Sequence, residues 1–179
     1  GRQLHKFGGS SLADVKCYLR VAGIMAEYSQ PDDMMVVSAA GSTTNQLINW
    51  LKLSQTDRLS AHQVQQTLRR YQCDLISGLL PAEEADSLIS AFVSDLERLA
   101  ALLDSGINDA VYAEVVGHGE VWSARLMSAV LNQQGLPAAW LDAREFLRAE
   151  RAAQPQVDEG LSYPLLQQLW CNIRANVWW

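Results

Sequence analysis

Apolar residues in the first forty positions follow the patterns of a strand, a helix and a second strand. Residues 2–7 have the composition of a short strand. Apolar residues then recur at helical spacing over residues 12–28, after Ser10 or Ser11, either of which can cap the helix. Residues 34–40 (MMVVSAA) form a nearly continuous apolar run, which is typical of a parallel strand buried on both faces. The pattern predicts a parallel sheet with right-handed crossover connections.

The rest of the chain is predicted to be mainly helical. GSTTN follows the second strand as a turn, and a short helix covers residues 46–53. Helical periodicity continues over residues 59–80 and again from Pro81 to about Leu103, which predicts an antiparallel helix pair laid on the sheet or beside the site. A further helical stretch covers residues 107–134, with a predicted interruption at residues 117–120, and residues 138–141 are predicted to form another strand.

Composition and charge exclude several classes of protein. The 179 residues are 49% hydrophobic, which fits one globular domain or part of a larger one. The net charge of −6 argues against a nucleic-acid-binding protein. The cysteines Cys17, Cys73 and Cys171 form no CxxC pair, so neither a disulfide framework nor a zinc site is expected. The chain has no apolar run of roughly 20 residues and no signal-like start. We therefore expect a cytoplasmic protein without a membrane partner.

The sequence KFGGSS lies where the first strand ends and the first helix is expected to begin. Glycines let an anion approach the backbone, and the N–H groups at a helix N-terminus attract it. Lys6 adds a mobile cation, so the motif predicts a phosphate-binding turn. It matches neither the Walker nor the Rossmann pattern. A plain strand-to-helix turn with an exposed lysine is the alternative interpretation.

The sequence VVSAAGSTTN repeats this arrangement after the second strand. In open α/β sheets, ligands bind at the carboxyl ends of the strands, so the two loops are expected to face one crevice. Ser38, Thr43, Thr44 and Asn45 can bind a small polar substrate there. Ordinary capping of the following helix by Ser42, Thr43 or Thr44 is the alternative.

The sequence GHGE, residues 117–120, places two glycines inside a helical stretch. Each glycine costs roughly 1 kcal/mol relative to alanine, so the motif predicts either a close approach or a helix start. Near a helix N-terminus, Glu120 can bind a substrate ammonium group, or it can simply interact with the helix dipole. His118 is a candidate base, and a hydrogen-bonded structural histidine is the alternative.

Together, the three motifs resemble those of the aspartokinase family. LHKFGGSSL, residues 4–12, is similar to the family's N-terminal signature, VVSAAGSTTN to its second loop, and VVGHGEVWSARL to its third. The three motifs occur in the same order as in the family, with a long helical insertion between the second and third loops. The resemblance covers about residues 2–169 and is greatest to the kinase half of bifunctional aspartokinase–homoserine dehydrogenases of enteric bacteria, the methionine-pathway isozyme among them.

The resemblance implies an α/β fold, the three-layer αβα sandwich of the amino-acid (carbamate) kinase type, with a helical insertion. It also implies transfer of the ATP γ-phosphoryl group to the β-carboxylate of L-aspartate. The product would be 4-phospho-L-aspartate, the first step of lysine, threonine and methionine biosynthesis. ATP and Mg²⁺ would be the cofactors, and L-aspartate the substrate. We also expect a homo-oligomer.

The resemblance further assigns roles to residues of the three loops. The nucleotide-binding loop would consist of Lys6, Phe7, Gly8 and Gly9. Lys6 would neutralise charge on the transferring phosphoryl group. Ser38 and Thr44 would lie at the aspartate pocket, and Glu120 would hold the ammonium group of the substrate.

The chain departs from the family pattern near its end. The family's Thr-Gly-Phe strand and its GRGGSD-like loop are not found in it, so we expect residues 1–169 to be the N-terminal part of a catalytic domain without turnover of its own. Residues 170–179 (WCNIRANVWW) fit neither a helix nor a strand pattern. A shifted reading frame, a cloning-derived end or a divergent tail would explain them, and the gene sequence distinguishes these.

Two other functions remain open at this point. One is another enzyme of the same fold, such as an acetylglutamate or uridylate kinase. The other is a non-catalytic remnant that binds aspartate or nucleotide, or that associates with itself through exposed apolar surface.

Overall fold

The computed structural model describes residues 3–142, and the expectations for residues 143–179 lie outside this part of the chain. Two strands, a 3₁₀ turn and five helices make up residues 3–142. In chain order they are β1 (Leu4–Phe7), the 3₁₀ turn (Gly9–Leu12), α1 (Val15–Tyr28), β2 (Met34–Val37), α2 (Thr43–Thr56), α3 (Arg58–Leu79), α4 (Ala82–Asp104) and α5 (Asp109–Gln133).

The two strands pair in parallel, with Leu4 opposite Met34 and Phe7 opposite Val37. The predicted strand–helix–strand unit is therefore confirmed, because α1 connects two parallel neighbours. The second strand is shorter than predicted, and residues 34–36 are only half-buried while Val37 is buried. The parallel register places the loops after β1 and β2 at the same edge of the sheet.

The first helix begins later than its sequence predicts. Residues 9–12 form the 3₁₀ turn, which the N–H group of Ser11 closes by donating to the carbonyl of Gly8 at 3.1 Å. Asp14 caps α1 instead of Ser10 or Ser11, because its carboxylate accepts from the N–H group of Cys17 at 2.9 Å. This hydrogen bond lowers the pKa of Asp14.

The predicted antiparallel helix pair is confirmed by α3 and α4. Arg58, the first residue of α3, forms a salt bridge of 3.0 Å with Asp104, the last residue of α4. The short helix predicted over residues 46–53 is longer, since α2 already begins at Thr43. It packs against both α3 and α5.

The fifth helix is continuous, so the predicted interruption at residues 117–120 is wrong. The predicted strand over residues 138–141 is also wrong within the described part of the chain. The side-chain amide of Asn132 donates to the carbonyl of Ala138 at 2.8 Å and accepts from its N–H group at 3.0 Å. The backbone N–H and C=O groups of Ala138 are therefore both hydrogen-bonded to the side chain of Asn132, whereas in a strand they would be hydrogen-bonded to a neighbouring strand.

The core lies between the helices and the sheet. Trp50 and Trp122 are buried in it, whereas Trp140 is 39% exposed and the centroid of its ring lies 5.2 Å from the guanidinium carbon of Arg125. The indole N–H of Trp122 donates to Asp95 at 3.1 Å, so the polar atom of this buried ring has a partner. Among residues 3–142, none of the helices has the length and apolar character needed to cross a bilayer.

The start of the sheet is tied by the carboxylate of Asp33. It accepts hydrogen bonds from His5 Nε2 at 2.8 Å and from the N–H groups of Gln3 and Gln30, both at 2.9 Å. These hydrogen bonds lower the pKa of Asp33 to about 2, with the largest effect from His5 and smaller effects from the two backbone N–H groups. These hydrogen bonds of Asp33 lie at the end of the sheet opposite to the two loops.

Candidate functional site

The loops after β1 and β2 contact each other through their backbones. The N–H group of Ser38 donates to the carbonyl of Phe7 at 3.0 Å, and that of Gly41 donates to the carbonyl of Gly9 at 3.1 Å. A Cβ atom at residue 9 would lie 3.0 Å from the carbonyl oxygen of Gly41 and 3.2 Å from that of Ala39. Glycine at this position allows the contact, and the predicted meeting of the two loops at one sheet edge is confirmed.

The third motif packs on the other side of the second loop, residues 38–42. A Cβ atom on Gly119 of α5 would lie 2.7 Å from the Cβ of Ala39 and 3.4 Å from Cγ2 of Thr43. The close-approach interpretation of this glycine is confirmed. The helix-start interpretation is wrong, and Glu120 lies within α5 and not near a helix N-terminus. The dipole interaction proposed for Glu120 as the alternative is therefore wrong too.

The predicted site residues differ in how they can reach a ligand. Phe7 is 3% exposed, so its side chain belongs to the core and only its backbone can serve the loop. The others are partly exposed: Lys6, Gly8, Gly9, Ser38, Thr44 and Glu120. The structure brings the first loop, the start of α2 and α5 together around residues 38–42.

Thr43 has a structural role. Its side chain is completely buried, and its hydroxyl accepts a hydrogen bond of 3.0 Å from Nε2 of Gln72 on α3. The N-cap of α2 is Ser42, and within the described residues its side chain makes no capping hydrogen bond. Ser42 therefore holds the N-cap position that the alternative predicts, but its side chain does not cap the helix, and Thr44 is a partly exposed residue in the first turn of α2.

His118 is a structural histidine. Its ring is buried, Nδ1 lies 2.6 Å from the carbonyl of Glu114, and Nε2 lies 2.8 Å from a guanidinium nitrogen of Arg98. A guanidinium group only donates and a carbonyl only accepts, so Nδ1 carries the proton and Nε2 accepts. Both ring nitrogens are engaged, which supports the structural alternative over a catalytic base.

Tyr71 contacts both loops and was not predicted from the sequence. Its hydroxyl donates to the carbonyl of Ala13, at the end of the first loop. It also lies against Gly41, where a Cβ atom would be 2.8 Å from the hydroxyl oxygen. Burial is the main cause that raises the pKa of Tyr71, and the negative charge of Asp14 is the second. The hydroxyl is therefore protonated at neutral pH and can donate a hydrogen bond.

A second tyrosine links α1 to the third motif. The hydroxyl of Tyr18 lies 2.8 Å from Oγ of Ser123, and both side chains are buried. Burial raises the pKa of Tyr18. The partners of Tyr18 and Tyr71 are far away in the sequence, so no local pattern points to either contact.

The side chains of the described region form no metal site of their own. Among residues 3–142, no group of three or more histidine, cysteine, aspartate or glutamate side chains is arranged to hold a metal ion.

Comparison with known proteins agrees with this geometry. Residues 1–172 match the amino acid kinase family. The chain belongs to the amino acid kinase family. The predicted α/β fold of the amino-acid kinase type is thus confirmed, and so is the resemblance that the three motifs carry.

Several relatives of this chain are aspartokinases by name. The bifunctional aspartokinase/homoserine dehydrogenase 2, chloroplastic, of Zea mays is 29% identical over 98% of this chain and 19% of the relative. The lysine-sensitive aspartokinase 3 of Escherichia coli (strain K12) is 26% identical over 80% of this chain and 31% of the relative. The chain thus spans between about a fifth and a third of these relatives.

A solved structure shares the fold of this chain. It is Escherichia coli aspartokinase III in complex with aspartate and ADP, with a TM-score of 0.69 and 23% identity. The match covers 79% of this chain and 31% of that one.

Proposed function

We propose that this chain contains the phosphate-binding part of the active site of an aspartate kinase. The enzyme would transfer the γ-phosphoryl group of ATP to the β-carboxylate of L-aspartate and form 4-phospho-L-aspartate. The aspartokinase relatives support this proposal, and so does the solved relative that holds aspartate and ADP.

Gly8 is the observation that carries the proposal. Its φ of −82° and ψ of 173° are accessible to any residue. Among the described residues, no atom lies within 4 Å of the position that a Cβ atom would take. Neither conformation nor packing therefore requires glycine here, in contrast to Gly9. Close approach of a ligand to the backbone does explain it, and a phosphate at the loop before a 3₁₀ turn is such a ligand.

The other residues have complementary roles in the proposed site. Lys6, at the end of β1, would place positive charge against the transferring phosphoryl group. The hydroxyl groups of Ser38 and Thr44 would bind L-aspartate, and Glu120 would pair with its ammonium group. Mg²⁺ would neutralise the nucleotide phosphates, and part of its coordination shell would come from these phosphates and water.

The wider setting of the enzyme is also part of the proposal. We assign residues 1–169 to a catalytic domain that acts in the cytoplasm in the biosynthesis of lysine, threonine and methionine. A homoserine dehydrogenase domain in the same polypeptide and a homo-oligomeric state are proposed with it. Residues 170–179 are proposed to differ from the family pattern through a shifted reading frame or a cloning-derived end.

A phosphoryl-transfer assay tests the proposed function. The complete gene product, expressed with one unbroken reading frame through and beyond residue 169, is incubated with Mg·ATP and L-aspartate, and the acyl phosphate is trapped with hydroxylamine while ADP release is followed. We expect hydroxamate formation and ADP release with L-aspartate, no hydroxamate with N-acetylglutamate, and no ADP release with uridylate, whose phosphorylation gives no acyl phosphate for hydroxylamine to trap. Turnover of either alternative instead of aspartate would contradict the proposal.

The 179-residue chain is assayed in parallel. It spans 31% of the solved relative, so we expect it not to release ADP at the rate of the complete product. Normal ADP release by the chain alone would show that no further part of the polypeptide is needed for turnover.

The two glycines of the first loop provide a matched mutational test. Gly8→Ala is expected to weaken Mg·ATP binding about 10- to 100-fold, because the methyl group keeps phosphate from one or two backbone N–H groups. Its unfolding midpoint should stay close to that of the wild type. Gly9→Ala is expected to lower the free energy of unfolding by about 1–3 kcal/mol, because its Cβ meets two carbonyl oxygens.

Calorimetric titration and urea unfolding of the complete product measure both effects. If Gly8→Ala binds Mg·ATP as tightly as the wild type, this loop does not bind phosphate.

A further inference from the structure

Helix α3 belongs to the helical insertion, yet two consecutive residues of it reach the candidate site. Tyr71 donates to the carbonyl of Ala13, and Gln72 donates to the hydroxyl of Thr43 at 3.0 Å. Ala13 follows the 3₁₀ turn of the first loop, and Thr43 begins α2 directly after the second loop. One turn of α3 therefore holds the ends of both loops.

The hydroxyl of Tyr71 occupies a hollow that exists because residue 41 is glycine. Gly41 has a φ of +49°, in the left-handed region, and a Cβ atom there would lie 2.8 Å from the tyrosine oxygen. Any side chain at residue 41 would push the hydroxyl away from Ala13. The same glycine donates its N–H group to the carbonyl of Gly9 at 3.1 Å.

We infer that Tyr71 is a positioning residue that fixes the spacing between the first loop, which binds phosphate, and the second loop, which binds the phosphoryl acceptor. The inference rests on the proposed function for the identity of the two ligands. The hydroxyl bonds to the first loop while it lies against the second, so a change in their spacing would break one contact or strain the other. Phosphoryl transfer depends on the relative placement of donor and acceptor, and a small change in spacing affects it strongly.

A packing role alone would have different consequences. The ring of Tyr71 is half-buried, and Tyr71→Phe keeps this ring. A residue that merely packs would change the unfolding midpoint without changing the local opening of the loops or kcat. These readouts separate the two roles.

The test compares Tyr71→Phe with Tyr112→Phe, a matched change at an exposed tyrosine on α5. Amide hydrogen exchange is measured by NMR in the 179-residue chain. The amide of Gly41 is expected to exchange about three- to tenfold faster in Tyr71→Phe, because one hydrogen bond that holds the loops is lost. In the complete gene product, kcat is expected to fall about three- to tenfold, because donor and acceptor are placed less accurately for transfer. Tyr112→Phe should change neither quantity.

A double-mutant cycle adds a readout that depends on the contact itself. Gly41→Ala is made in the wild type and in Tyr71→Phe, and exchange of the backbone amide at residue 41 is compared. The substitution is expected to be less harmful in the Tyr71→Phe background, since the oxygen that would meet the new Cβ is gone. Independent effects of the two changes would overturn the inference.

The two readouts also separate failure of the inference from failure of the proposed function. Unchanged Gly41 exchange in Tyr71→Phe would overturn the positioning role whatever the enzyme does. Faster exchange in a protein that does not phosphorylate aspartate would support the link between α3 and the loops and contradict the assignment of their ligands.

Discussion

Replacing Lys6 with methionine is expected to lower the rate of phosphoryl transfer about 10²- to 10³-fold in the complete gene product. Methionine keeps the length and apolar stem of the side chain but removes its charge. The variant should mainly have a lower kcat. The negative charge of the transferring phosphoryl group is redistributed in the transition state, and the positive charge of Lys6 stabilises it most at that point. Steady-state kinetics with Mg·ATP and L-aspartate measure it.

Lys16→Met is the matched control for this prediction. Lys16 is exposed on α1, and its replacement changes the net charge by the same amount. We expect kcat within about twofold of the wild type for this variant, because an exposed charge outside the site is screened by solvent and salt. If Lys6→Met keeps more than a tenth of wild-type kcat, Lys6 does not stabilise the transferring group. Urea unfolding of both variants shows whether either change affects folding.

Replacing Gly119 with alanine is expected to lower the free energy of unfolding by about 1–2 kcal/mol, although alanine is the better helix former. The new Cβ would lie 2.7 Å from the Cβ of Ala39, which has no rotatable bond to move it away. The steric clash can therefore be relieved only if α5 or the second loop shifts. The overpacking penalty, about 3 kcal/mol at the upper end, exceeds the roughly 1 kcal/mol gain in helix propensity. Because Ala39 belongs to the second loop, weaker binding of L-aspartate should accompany the loss of stability.

Gly23→Ala makes the same change on α1 and is expected to have the opposite sign. Gly23 is exposed, and among the described residues no atom lies within 4 Å of its Cβ position. Alanine should therefore raise the free energy of unfolding by about 0.5–1 kcal/mol. Urea unfolding of the two variants measures the difference, and a stabilising effect of Gly119→Ala would contradict the close packing of α5 on residues 38–42.

Local sequence patterns were sufficient for most elements of the fold. A continuous apolar run marks β2, helical periodicity marks α3 and α4, and the glycines of KFGGSS mark the end of β1. The cap of α1 was assigned to the wrong residue, although Asp14 is of a type that commonly caps helices. The serines before it lie in a 3₁₀ turn, and the sequence alone does not separate that turn from the helix.

The GHGE motif shows why the rest could not be predicted from the sequence. Two glycines in a helix indicate either an end of the helix or a close neighbour, and the choice depends on what packs there. The neighbour of Gly119 is Ala39, which is distant in sequence, so only the packing of α5 on the second loop decides for the continuous helix. The same holds for residues 138–141, where a side chain of α5 takes the place of a neighbouring strand.

The order of the elements, the two loops at the strand ends and the family resemblance could be predicted from the sequence, because they depend on local periodicity and short motifs. The tertiary structure was needed to show that Thr43 and His118 are structural, that among residues 3–142 close packing requires glycine at residue 9 and not at residue 8, and that Tyr71 lies between the loops. These properties depend on contacts between residues far apart in the chain, and the partner in such a contact is set by how the helices pack on the sheet.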